Sequence, residues 1–159
     1  MDYSNVVKFA YITNYLTNAI KHCDVIEKHL NPEEEVLYVF VGQKDLGFMD
    51  FFNTNLVALT NKRIIMSSGF IGIDYQTIFY KDIKKVNLNV GFMDKIFKVG
   101  DLYFYTAEGR NAFLDIGDCY ELYPKIQKVV LDIQTDIEFP NNLRPNENDG
   151  YNTKYNSYR

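Results

Sequence analysis

The run Leu56-Val57-Ala58-Leu59-Thr60-Asn61-Lys62-Arg63-Ile64-Ile65-Met66 constrains the fold most. Two apolar stretches flank a polar corner, the pattern of two strands folded back on each other. Asn61 tolerates positive φ, which the tight turns of hairpins require so that their twist matches that of the paired strands. The stretch predicts an antiparallel hairpin that joins residues 56–59 to residues 63–67 around Asn61-Lys62.

Further strands are expected on both sides. Residues 36–42 are apolar on both alternating faces, so something must cover the second one, and an N-terminal helix is a candidate. After a long connection over 43–55 and the hairpin, strands are expected at about 75–80, 84–90, 98–105 and 111–116. Val86, Leu88 and Val90 alternate with Lys85, Asn87 and Asn89, while Ala112, Leu114 and Ile116 alternate with Asn111, Phe113 and Asp115, the pattern of strands with one wet face. Thr106-Ala107-Glu108-Gly109 supplies a turn, with Gly109 available for a left-handed position. Ile126, Val129, Val130 and Ile133 form the stripe of a closing helix, regular from about Pro124 and preceded by a short turn from Asp118, where Asp118 and Glu121 resemble a capping box.

At the other end, Phe9, Ile12, Leu16, Ala19, Cys23, Ile26 and Leu30 recur at alternating steps of three and four, which predicts one helix over about 5–30. That spacing is the seam of a coiled coil. The seam either packs on its own domain or pairs with a second copy or a partner helix.

Leu59-Thr60-Asn61-Lys62-Arg63 re-entering as Ile64-Ile65, with Tyr80-Lys81-Asp82-Ile83 stepping into another strand, resembles the bacterial pleckstrin-homology (PH) domains. The resemblance implies a mainly β fold with flanking helices: a PH-like seven-stranded barrel of two nearly orthogonal antiparallel sheets capped by a C-terminal helix. Alternation alone also permits another small barrel or a sandwich. The layout that follows is an N-terminal amphipathic helix over 1–31, a PH-like domain over 33–137, and a disordered polar tail over 138–159, where no apolar period offsets the entropy of ordering.

Chemistry is sparse. A net charge of −4 argues against non-specific nucleic-acid binding, which needs a surplus of Lys and Arg. Cys23 and Cys119 are far apart and outside any CxxC pattern, so buried, reduced thiols and a cytoplasmic setting are expected, with a single disulfide left open. The N-terminus lacks signal-peptide features, and no stretch approaches the roughly 20 apolar residues of a membrane span. His22 and His29, seven residues apart on one helix, are too distant to share a metal ion and read as solvated surface histidines. Gly69-Phe70-Ile71-Gly72 lacks the Lys of a phosphate loop, and Glu33-Glu34-Glu35 reads as a solvated acidic run. No acid, base and nucleophile assemble, which points away from an enzyme and from any cofactor or metal.

Two features remain. Between Asn61 and Lys98, seven basic residues face three acidic ones, so this stretch carries +4 and the remainder −8. A basic patch of Lys81, Lys84, Lys85, Lys95 and Lys98 suits an anionic headgroup or an acidic partner, or it simply solvates the outer sheet. Phosphoinositide-binding PH domains carry a basic motif in the loop after the first strand, where this chain offers only Lys44 beside Asp45. That loop is instead apolar, with Leu46, Phe48, Met49, Phe51 and Phe52, and Gly91-Phe92-Met93-Asp94 repeats four of its letters ahead of Ile96 and Phe97. Such residues fold back as lids or form a contact surface. The sequence thus suggests a non-enzymatic binding module that acts through protein–protein contacts and self-association, as a homo-oligomer held by the N-terminal helix or by loop aromatics. The interaction residues would be Phe9, Ile12, Leu16, Ile26, Phe48, Phe51 and Phe52. The alternative is a peripheral membrane adaptor with the five lysines on anionic lipid and Phe92 or Phe97 dipping in.

Overall fold

Strand β1 (Val36–Lys44) is apolar on both faces because it is covered on both. The computed structural model describes residues 22–44, 54–69 and 74–140. After β1 come β2 (Thr54–Thr60), β3 (Arg63–Ser68), β4 (Asp74–Phe79), β5 (Ile83–Asn89), β6 (Gly100–Thr106) and β7 (Gly109–Ile116). Residues 22–28 are helical and are called α1; α2 is the short helix Asp94–Phe97, and α3 is Cys119–Glu138. A 3-10 turn, Tyr80–Asp82, links β4 to β5.

The strands run in the order β4-β3-β2-β1-β7-β6-β5, every neighbouring pair antiparallel. They form two meanders, β1–β4 and β5–β7, and these join where Gln43 and Lys44 of β1 pair with Leu114 and Phe113 of β7. Gly42 permits that close crossing, since a Cβ there would stand 3.0 Å from Cβ of Phe113. Between the sheets lies the main core, with Phe40, Val57, Leu59, Ile64, Leu102, Phe104, Phe113 and Ile116. The expected stripe Ile126, Val129, Val130 and Ile133 of α3 closes it. Phe113 meets both Phe40 and Phe104 edge-on, at 6.0 Å between centroids in each case.

The second core covers the outer face of the first sheet. Cys23 and Ile26 of α1 pack on Val39, Val41, Leu56, Ala58 and Ile65. Period-2 alternation thus divides β1, β2 and β3 between two cores, and the described end of the N-terminal helix is spent on its own sheet. Ile26, expected to face another chain, is fully buried here. His22, expected on the solvated surface, is also buried, with Nδ1 2.8 Å from Oγ of the buried Ser67. His29 stacks on Tyr75 at 4.3 Å between rings. Both thiols are buried and free, and burial, then the Asp24 and Glu27 charges, pushes Cys23 up to about 11.

The hairpin has the expected register, Leu56 opposite Ser67 and Leu59 opposite Ile64. Its turn chemistry differs. Asn61 does not take positive φ; among nearby residues Glu33 does, at 64°. Gly109 does adopt positive φ at the β6–β7 turn. In β7 the simple alternation fails, since Phe113 and Ile116 are buried while Leu114 is half-buried. The cause is a bulge: the pairing of Gly100 with Ile116 shifts to Leu102 with Phe113, and Asp115 between them has φ 54°. Lys98 caps α2 in the left-handed region rather than opening β6. Helix α3 starts at Cys119 and runs through Pro124 unbroken; Asp118 precedes it with φ 47° and makes no side-chain cap hydrogen bond, so the capping box does not form.

If α1 belongs to the folded unit, Ile26→Ala removes a fully buried side chain and should cost about 2–4 kcal/mol. A chemical denaturation midpoint that does not move would show that α1 packs independently of the two sheets.

Candidate interaction surface

The polar corner of the hairpin is a buried pin. The Glu34 side chain is fully enclosed and receives hydrogen bonds from Arg63 (Nε to Oε1 3.0 Å, Nη2 to Oε2 3.1 Å), from Thr60 Oγ1 (2.7 Å) and from the Asn31 amide (2.9 Å). Arg63 also donates to the His29 carbonyl at 2.8 Å, which ties the end of α1 to the sheet. Asn61 accepts from the Glu35 amide at 3.0 Å and donates to the Glu33 carbonyl at 3.2 Å. The Thr60 hydroxyl accepts from the amides of Lys62 and Arg63, closing the turn. The Thr60 carbonyl in turn takes the Tyr80 hydroxyl at 2.6 Å. Thr-Asn-Lys-Arg is therefore a structural device: it fastens residues 29–35 across the mouth of the hairpin. Glu34, expected in a solvated run, is its centre. Burial pushes its carboxyl up, but the bonds from Arg63, Asn31 and Thr60 and the Arg63 charge together hold it below the ordinary value.

The five lysines do not converge. Lys81 and Lys84 border a cleft of about 720 Å³ at the gap between β4 and β5, with Asp82, Glu108 and the exposed Phe79. Lys84 and Lys85 also edge a shallow groove between β5 and α3. Lys95 and Lys98 belong to α2 and its cap, beyond the far end of β5. The five steps from Lys84 to Asn89 are roughly 17 Å of strand, so no single basic face forms.

At that far end the chain exposes apolar side chains. Phe92, Met93, Ile96 and Phe97 are 84%, 62%, 70% and 58% exposed, and α2 has no buried residue. Helix α3 begins next to it, through the Cys119 amide donating to the Lys98 carbonyl at 3.0 Å, and adds the exposed Tyr120. Carboxylates cluster behind this tip. Asp101 Oδ1 accepts from the Asp115 amide at 3.2 Å, and burial, then Asp101 and Asp94, pushes the Asp115 carboxyl up. With Asp118, four acids accompany two lysines there among the described residues. The expected contact residues Phe9, Ile12, Leu16, Phe48, Phe51 and Phe52 lie outside the described residues. Among the described residues, no cluster of His, Cys, Asp or Glu suits a metal ion, and no helix is long and apolar enough to cross a membrane.

The family model of the bacterial PH domain matches residues 38–130, from β1 into α3. The chain belongs to this family. A PH domain from Shewanella amazonensis is similar at 18% identity and a TM-score of 0.50, over 70% of this chain and 96% of that one. A family protein with a pleckstrin-homology domain from Shewanella loihica (11% identity, TM-score 0.45, 70% and 96% of the two chains) and the Vps36 N-terminal PH domain (15%, 0.49, 67% and 86%) are similar as well. No curated protein matches this chain. The first of these likenesses supports the two-sheet PH fold.

Within this PH domain the pin makes stability depend on pH. A carboxyl held below its ordinary value in the folded state adds stability above the ordinary glutamate range, and that stability is lost as pH falls through the lowered folded value. Glu34→Gln should cost roughly 2–3 kcal/mol at neutral pH by stripping a buried partner from Arg63. Denaturation midpoints between neutral and acidic pH should fall less steeply for the variant, and parallel slopes would rule out Glu34 as a source of the dependence.

Proposed function

We propose that this PH domain is a non-catalytic binding module that acts through protein–protein contacts, self-association among them, at the tip formed by α2. The family is one of binding modules rather than of enzymes, often for proteins or lipids. The observation that carries the reading is the exposure of Phe92, Met93, Ile96 and Phe97 on α2 and the turn that leads into it. A soluble surface rarely gathers several large apolar side chains without using them, and aromatic side chains with Met are the usual anchors of protein interfaces.

The acids behind the tip weigh against the membrane reading. Among the described residues, Asp94, Asp115 and Asp118 outnumber Lys95 and Lys98, so an anionic surface meets net repulsion where the phenyl rings would insert. The remaining lysines sit at the other end of β5. The protein should therefore stay in the supernatant when centrifuged with vesicles of three parts phosphatidylcholine to one part phosphatidylserine. Sedimentation with those vesicles that is abolished by Phe92→Ser, or by Lys84→Glu with Lys85→Glu, would replace this reading with a peripheral membrane adaptor.

A further inference from the structure

The tip has a counterpart at the opposite end of β5. There, β5 and α3 leave a shallow groove of about 260 Å³ with an apolar floor of Ile83, Val86, Val130 and Leu131, bordered by Lys84 and Lys85. Leu131 is 58% exposed, and none of the residues that line the groove is acidic. A bulge between Ile83 and Lys85 brings consecutive lysines to this border. The tip presents the inverse: exposed apolar side chains with an excess of carboxylates at their base.

Resting on the reading of the tip as a protein contact, we propose that its partner is a second copy of this chain, whose β5–α3 groove receives the α2 tip. Three observations select this occupant. Apolar meets apolar, and the carboxylates Asp94, Asp115 and Asp118 meet Lys84 and Lys85, so both the burial and the charge are complementary. From Val86, the groove residue nearest the tip along β5, to Asn89 is roughly 10 Å of strand that runs away from the groove, so the contact joins different molecules. The groove is suited to side chains and not to an added strand, because α3 already occupies carbonyls along it: Gln134 donates to those of Tyr80 and Ile83, and Tyr123 to that of Val86. A buried Phe side chain removes roughly 150–250 Å² from water, so a few tip residues reach several hundred Å² per side, the scale of a weak and reversible interface. Donor and acceptor surfaces differ, so the association is head-to-tail and continues until a ring closes or a chain of molecules grows.

Complementation tests this directly, using full-length protein in sedimentation velocity from micromolar to hundreds of micromolar. The tip variant is Phe92→Ser with Ile96→Ser, and the groove variant is Lys84→Glu with Leu131→Asp; all four positions are exposed, so both should melt near wild type. Wild type should gain mass with concentration, less so at high salt. Each variant alone should remain a monomer, while an equal mixture should approach twice the monomer mass and stop, because only one intact tip and one intact groove remain to meet. A monomeric wild type, an association that neither variant weakens, or a mixture that stays monomeric overturns the second copy as partner. The vesicle experiment is unaffected by these outcomes, so the reading of the tip as a protein contact stands or falls separately.

Discussion

The fold depends on one enclosed carboxylate. Glu34 sits where α1 ends, β1 begins and the β2–β3 hairpin turns, and an ion buried there is tolerable only when its lone pairs are filled. Arg63 fills two of them and reaches on to the His29 carbonyl, so one ion pair fixes both the hairpin mouth and the angle at which α1 meets the sheet. With α1 in place, the outer face of β1, β2 and β3 becomes interior, which is why Val39, Val41, Leu56, Ala58 and Ile65 can be apolar on what would otherwise be a wet surface. Remove the pin and the outer core loses the tie that holds the end of α1 to its sheet.

Much of the architecture was legible from periodicity. The places of the strands along the chain, the two-residue hairpin turn and the buried stripe of α3 follow from alternation, turn composition and helical spacing, whereas the two-sheet arrangement was implied by the family resemblance. The doubly apolar β1 pointed to a covering helix, and Cys23 and Ile26 provide it. Errors gathered where the backbone departs from a period. The β7 bulge moved Phe113 inward, and Lys98 and Asp118 took left-handed conformations that side-chain pattern does not announce. Polar residues were misread for a related reason. Glu34 and His22 look like surface residues one at a time, and their burial is explained by partners 26 to 45 positions away.

The interaction surface was legible in part. The apolar character of residues 92–97 stood out in the sequence, but a short exposed helix was not foreseen, nor its separation from Lys84 and Lys85 along β5. Counting charge by sequence interval grouped five lysines that the strand divides, while Asp101, Asp115 and Asp118, outside that interval, come to stand behind the tip. Net charge over a segment says little about a surface when a strand carries its two halves to opposite ends.

The corner between β1 and β7 has a consequence for the order of folding. Each meander is built from sequence neighbours, so β1–β4 and β5–β7 can form by short-range pairing. The bond between them joins Gln43 to Leu114, 71 positions apart, and it is there that the chain meets the entropy of closing a long loop. Joining the two sheets is thus the high-contact-order step, and it needs the small Gly42, where the two backbones come close enough to share one core.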